Sequence, residues 1–267
     1  VAKKGPAEEA GLKAGDKFVS VAGTDVRETP NAIKALIQDA KDKTISIVVE
    51  REEEELTFDV EVRNVPSSVR YELKENSIGY INIDIFSETL TNQVSNALKD
   101  LEEKGMKKLI IDLRDNSGGY LDSAETTASL FLEKGKLIYS LEDKNKKEDY
   151  YDETEEHRTY PIVILINEKS ASSAEILAAA LKDSYGAVLV GEKSYGKGKV
   201  QQTIKLEDGS MAKHTSAKWL RPTGECIDNK GLTPDYAASL TYETNENGEQ
   251  TVIDSQLNKA LEVIRAM

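Results

Sequence analysis

Three short stretches of the 267-residue sequence gather side chains and glycines that can do chemistry: DNSGG at residues 115–119, EKSASSAEI at 168–176 and GEKSYGKGKVQ at 191–201. Each follows an apolar run (LIIDLR, IVILIN and AVLV in turn) that reads as a buried strand. The third stretch spaces Gly191, Gly196 and Lys197 as a phosphate-binding loop does. Such a loop also needs Ser or Thr directly after the lysine to ligate magnesium, and a helix whose N-terminus faces the phosphates. Here Gly198 follows Lys197, and KVQQTIKL sets Val200, Thr203, Ile204 and Leu206 in a strand-like context. Nucleotide binding is disfavoured on both counts.

Nucleophilic catalysis is the next chemistry to weigh. A Ser-His-Asp triad needs a histidine, and the chain has two, His157 in a charged loop and His214 in DGSMAKHTS; no G-x-S-x-G elbow exists. Lysine can serve as the base where burial lowers its pKa enough to leave a neutral fraction. Glycines on both sides would let Lys197 approach a neighbouring backbone, with Tyr195 and Val200 as an apolar wall. Ser170, Ser172 and Ser173 compete as its partner. Ser172 and Glu175 satisfy an S-x-x-E capping box ahead of ILAAAL, so on spacing alone Ser172 reads as a helix cap. A helix N-terminus also offers free amides and a positive dipole end to an oxyanion, so cap and nucleophile are compatible roles.

Composition bounds what surrounds these residues. With 39% hydrophobic and 31% charged residues, the chain is expected to be globular. A formal net charge of −13 argues against nucleic acid or an anionic membrane as a general partner. The single cysteine, Cys226, excludes an intramolecular disulfide and a thiolate zinc cluster, and reads as a small, partly buried hydrophobe. No apolar stretch approaches the roughly 20 residues of a membrane span. Starting at Val1 and not Met, the sequence is expected to be a fragment whose targeting segment lies outside it.

The elements that must position the three stretches follow from periodicity. Strand IGYINIDIF alternates Ile81, Ile83 and Ile85, and ETLTNQVSNALKDLEEKG places Val94, Ala97, Leu98 and Leu101 on one helical face before Gly105. Strand KKLIIDLR, a helix over about 123–132, strand KLIYS, a charged loop over 142–158, strand PIVILIN, helix AEILAAALKD and strand AVLV come next. This alternation implies βαβ units and a largely parallel sheet, whose carboxyl ends are where sites gather. A small mixed module precedes it: a helix and turn in GPAEEAGLKAGD, a strand in KFVSVAGTDV, a helix in PNAIKALIQDA, and strands TISIVVE and LTFDVEV. The pattern changes near residue 65, so the expected domains are 1–64 and 65–267.

The GPAEEAGLKAGDKFVSVAG segment with its following helix and two strands resembles a PDZ domain, whose usual first strand and carboxylate-gripping loop would lie upstream of Val1. DLRDNSGG, NEKSASSAEILAAALKD, GEKSYGKGKVQ and WLRPTGECIDNKGLTPD occur in this order, and together resemble the carboxyl-terminal processing (tail-specific) serine proteases over nearly the whole chain. That resemblance implies an α/β fold with a crotonase-like or ClpP-like protease core, a parallel-rich sheet and helices, beside the small partial PDZ-like module. It implies Ser172 as nucleophile, Lys197 as general base and Gln201 as the residue orienting the lysine amine. Backbone amides of Gly118 and Ser173 would form the oxyanion hole, with Gly119 the neighbouring alternative. The family commonly reads S-A-S-A-S-E, whereas this chain has Ser173-Ala174 where Ala-Ser is usual; the role asks only for an amide from residue 173.

Also implied are protein or peptide substrates with exposed carboxyl termini, no metal or organic cofactor, a homo-oligomer as one form of the protein, an extracytoplasmic location, and membrane contact only through an N-terminal anchor outside this sequence. Two rivals stay open on sequence alone: a non-catalytic peptide-binding scaffold, and an enzyme latent in this truncated form.

Overall fold

A computed structural model describes residues 5–63, 67–205, 210–244 and 250–267. The chain divides into two compact units, Val1–Ser67 and Ser68–Met267. The 64/65 boundary expected from sequence, and Leu206, lie outside the described residues.

The first unit contains helix α1 (Pro6–Glu9), strands β1 (Lys17–Val21) and β2 (Thr24–Asp25), helix α2 (Ala32–Asp39), and strands β3 (Thr44–Arg51) and β4 (Glu54–Glu61). Its sheet has the order β2-β1-β3-β4, and Val21, Ile47, Val49 and Val60 bury one face against Leu12 and Ala40. Arg51 ties the turn at Asp16 to the sheet through hydrogen bonds of 2.6 and 2.7 Å and a third to the Gly11 carbonyl.

The second unit begins with strands β5 (Val69–Lys74) and β6 (Ile78–Ile83), helix α3 (Leu90–Glu103), β7 (Lys108–Asp112), α4 (Leu121–Ala128), β8 (Leu137–Glu142), β9 (Lys147–Tyr151), β10 (Ile162–Ile166), α5 (Ser173–Ala180) and β11 (Val188–Gly191). It closes with β12 (Lys199–Lys205), β13 (Met211–Leu220), β14 (Tyr236–Ala237), β15 (Thr241–Thr244), β16 (Gln250–Ile253) and α6 (Ser255–Ala266). Six strands form the main sheet in the order β14-β11-β10-β7-β6-β5, parallel throughout except where edge strand β5 runs against β6.

The continuous apolar runs arise because both sheet faces are covered. Leu109 and Ile111 of β7 pack with Val94, Leu98 and Leu101 of α3 and with the alanines of α5, whereas Ile110 packs with Ala260, Val263 and Ile264 of α6. Successive side chains on a strand point to opposite faces, so one short segment serves two apolar layers. Arg114 anchors α6 to the end of β7: it bonds Asp112 at 2.6 Å, Asp254 at 2.7 and 2.9 Å, and Gln256 at 3.0 Å. Burial by itself would raise the Asp254 carboxyl, yet Arg114 and the Leu257 amide hold it below the usual carboxylate range.

Two expected elements differ. The helix expected over about 123–132 is α4, which starts at Leu121 and gives way after Ala128 to turns closed by the amides of Leu130 and Phe131. The charged loop over 142–158 contains β9, paired with β8 in a second sheet of order β12-β13-β8-β9. The Tyr150 ring stacks on that of Tyr139 at 4.5 Å, and an aromatic pair of this kind contributes about 1 kcal/mol beyond its area, which sets a strand where charge alone reads as loop.

Candidate active site

Neighbouring order β11-β10-β7 brings the carboxyl ends of three parallel strands side by side, so residues 113–119, 167–173 and 191–197 leave the sheet at one place. Ser170 is fully buried and its hydroxyl donates to the Leu113 carbonyl at 2.8 Å, so it closes the turn. Ser173 is also buried and donates to the Gly119 carbonyl at 3.1 Å. Ser172 alone of the three is partly open to solvent.

Ser172 caps α5 with φ 56° and ψ −121°, a conformation L-residues rarely adopt. Strain of this kind costs on the order of 1–3 kcal/mol and persists only where surrounding bonds impose it. Those bonds are present. The Ala171 amide donates to the Asn116 carbonyl at 2.9 Å, the Ala174 amide to the Ala171 carbonyl at 3.2 Å, and the Ser172 amide to Glu175 Oε2 at 2.9 Å. The last is the carboxylate arm of the capping box expected from the sequence.

The glycine pair lies directly on this turn. A Cβ at Gly118 (φ 96°) would stand 2.8 Å from the Ala171 carbonyl oxygen and from Ser172 Cβ, so only glycine fits. The Gly118 carbonyl accepts from Phe86 N at 3.0 Å and the Gly119 carbonyl from Ser173 Oγ. The Gly118 amide, expected to be free for an oxyanion, donates to Asn116 Oδ1 at 2.8 Å, because the buried Asn116 side chain folds back under the turn. Among the described residues the amides of Gly119 and Ser173 have no acceptor.

Glu175 joins the serine turn to the lysine loop. Its carboxylate is fully buried and accepts four bonds: from the Ser172 amide, from Ser194 Oγ at 2.5 Å, from the Gly196 amide at 2.7 Å and from the Lys197 amide at 2.9 Å. The S-x-x-E spacing gives Glu175 only a capping role; its second role depends on a loop that is distant in sequence.

The backbones of Ser172 and Lys197 thus converge, while their side chains are not joined. Lys197 is exposed and its Nζ makes no hydrogen bond or ion pair among the described residues, so the burial expected of a lysine base is absent, and Tyr195 is 65% exposed and walls nothing off. The cause is local: the loop backbone is pinned inward by its amides, which leaves the side chain outside. Gln201 is also exposed, beside a bulge in β12 between Val200 and Gln201. His157 and His214 are exposed and take no part in the cluster. Among the described residues no group of three His, Cys, Asp or Glu is arranged to hold a metal, and no helix is long and apolar enough to cross a membrane.

Residues 77–238 match Peptidase family S41 and residues 1–51 match a PDZ domain. The chain is 38% identical over 276 residues to the carboxy-terminal processing protease CtpA of Bacillus subtilis (strain 168), covering 97% of this chain and 59% of that protein. Identity to CtpB of the same organism is 35% over 243 residues, covering 88% of this chain and 51% of that protein. The chain therefore spans between half and three fifths of these relatives. The solved photosystem II D1 C-terminal processing protease superposes with a TM-score of 0.63 at 27% identity, covering 89% of this chain and 67% of that one. With a family match over more than half its length, at the residues that build the serine turn and the lysine loop, the chain belongs to peptidase family S41.

Proposed function

We propose that this chain is a serine endopeptidase that cleaves protein substrates near flexible carboxyl-terminal tails through a Ser172-Lys197 dyad. The observation that carries the proposal is the strained Ser172 turn, seated against a glycine pair and bridged by one buried carboxylate to the backbone of Lys197. Neutral Lys197 takes the Ser172 hydroxyl proton as Oγ attacks the scissile carbonyl. The oxyanion is held by the Ser173 amide and an amide of the glycine pair, Gly119 as the loop now stands. Collapse of the intermediate breaks the C–N bond and Lys197 protonates the leaving amine, leaving an ester on Ser172. Lys197 takes a proton from water as the water oxygen attacks the ester; collapse breaks the C–O bond to Ser172, whose oxygen takes that proton back from Lys197, and the product leaves as a carboxylic acid that ionises in solvent. The exposed Lys197 reaches this position by side-chain rotation when substrate covers the site, the moment at which catalytic hydrogen bonds commonly tighten. Gln201 orients the amine.

The PDZ module would capture the substrate tail or gate activity, and the extracytoplasmic location and homo-oligomer implied by resemblance belong to the same proposal. An active-site-directed fluorophosphonate tests the nucleophile: a mass adduct on Ser172 supports it, and labelling that persists in Ser172→Ala overturns it. A latent form is the second reading, favoured by the Gly118 amide being bound to Asn116. Here Gly118 serves the oxyanion only after Asn116 lets go. Faster turnover of a short chromogenic substrate on adding a peptide with an apolar carboxyl terminus supports latency; an unchanged rate counts against it.

A further inference from the structure

The WLRPTGECIDNKGLTPD stretch has no role in the dyad itself, yet it wraps the lysine loop. Trp219 N donates to the Gly198 carbonyl at 2.9 Å, Asp228 Oδ1 accepts from the Gly198 amide at 3.3 Å, the Asn229 amide donates to the Gly196 carbonyl at 2.8 Å, and the Leu232 amide donates to Ser194 Oγ at 2.7 Å. Among the described residues, two side chains bond the peptide groups of Lys197 itself. Glu175 takes its amide, and the indole Nε1 of Trp219 donates to its carbonyl at 2.8 Å.

We infer that Trp219 is a positioning residue for Lys197, acting through the hydrogen bond from its indole to the Lys197 carbonyl. The inference rests on Lys197 being the base. Peptide groups are planar, so fixing the N–H on one side of the Lys197 Cα and the C=O on the other fixes both adjoining planes and hence the Cα–Cβ direction. A lysine amine hangs on four further rotatable bonds, and its search for the serine proton is short only if the first atom is held. Trp219 is 2% exposed, and a buried indole N–H requires an acceptor. Of all the carbonyls in the unit, the one it meets belongs to the proposed base. Glycines complete the cradle: a Cβ at Gly196 would stand 2.7 Å from the Gly231 amide nitrogen, and one at Gly198 would stand 2.6 Å from that of Asp228.

Trp219→Phe keeps the ring and removes only the donor. On a chromogenic peptide substrate, kcat is expected to fall about tenfold with KM unchanged, because a displaced base costs the chemical step and not ground-state binding. Ser172 labelling by a fluorophosphonate slows by a similar factor, and in a Ser172→Ala background the added Trp219→Phe leaves peptide affinity as it was. Wild-type kcat and labelling rate in Trp219→Phe would overturn the inference. A parallel loss of kcat, KM and peptide affinity would also overturn it, since that pattern marks general loosening. Lys197→Ala is measured alongside. Inactive Lys197→Ala with a fully active Trp219→Phe sinks the inference alone, whereas active Lys197→Ala sinks the dyad with it.

Discussion

One carboxylate oxygen, Glu175 Oε2, accepts 2.9 Å hydrogen bonds from the backbone amides of both Ser172 and Lys197. Two residues from different parts of the chain are thereby held to a common point, and their side chains start from fixed places. The geometry belongs to the backbone; the hydroxyl and the amine are left free to meet over a substrate.

Glu175→Gln preserves the shape but puts an NH2 group where four donors converge. Charged hydrogen bonds to a buried group contribute about 1.5–3 kcal/mol each, and an orphaned donor adds its own desolvation cost. Denaturant unfolding is expected to show a loss of about 3 kcal/mol, with turnover reduced at least tenfold. Unchanged stability would mean the carboxylate is not the tie between the two loops.

Gly118→Ala is expected to abolish turnover, since its Cβ meets backbone oxygen and Ser172 Cβ at 2.8 Å. Gly135, with φ +83° and nothing within 4 Å, is the control. There alanine costs about 1–2 kcal/mol for its left-handed backbone and leaves kcat as it was. Equal behaviour of the two variants in activity assays would show that the glycine turn is not specially placed.

Ser173→Ala removes the hydroxyl that holds the Gly119 carbonyl. About 1 kcal/mol of transition-state stabilisation is at stake, so kcat should drop roughly fivefold, and a peptide aldehyde should bind weaker by a similar factor. Wild-type aldehyde affinity would exclude a part for this hydroxyl in shaping the oxyanion site.

The first unit carries an acid-sensitive tie. Hydrogen bonds from Arg51 and the Lys13 amide lower the Asp16 carboxyl from 3.8 to about 2. A carboxyl depressed in the folded state contributes stability that is fully present above its unfolded value and is lost as pH falls through its folded one. Hydrogen exchange in β1 and β3 should therefore accelerate between pH about 4 and about 2. In Asp16→Asn that part of the acid response should disappear. A persistent response of the same size would place it on other carboxylates.

Much of this architecture can be read along the chain. The runs LIIDLR, IVILIN and AVLV are continuous because helices cover both sheet faces, and that continuity identifies β7, β10 and β11 and the place where their ends meet. The motifs at those ends leave three serines competing beside Lys197; the family resemblance singles out Ser172, and burial separates Ser170 and Ser173 from it. Helix α6, absent from the elements expected above, carries a legible signal of its own: Leu257, Ala260, Leu261 and Ile264 at i, i+3, i+4 and i+7 behind the Asp254 cap. The indole of Trp219 on the lysine loop is a contact between distant segments, and the exposure of Lys197 and the turn-closing bond from the Gly118 amide to Asn116 depend on how each loop is pinned; no local period encodes any of them.

Cleavage of casein, an unfolded protein, tests the central claim most directly, comparing the chain with Ser172→Ala and Lys197→Ala from neutral to alkaline pH. The dyad predicts cleavage whose rate rises with pH and is lost in both variants. Cleavage retained by Lys197→Ala with an unchanged pH profile, or by Ser172→Ala at any pH, would contradict it.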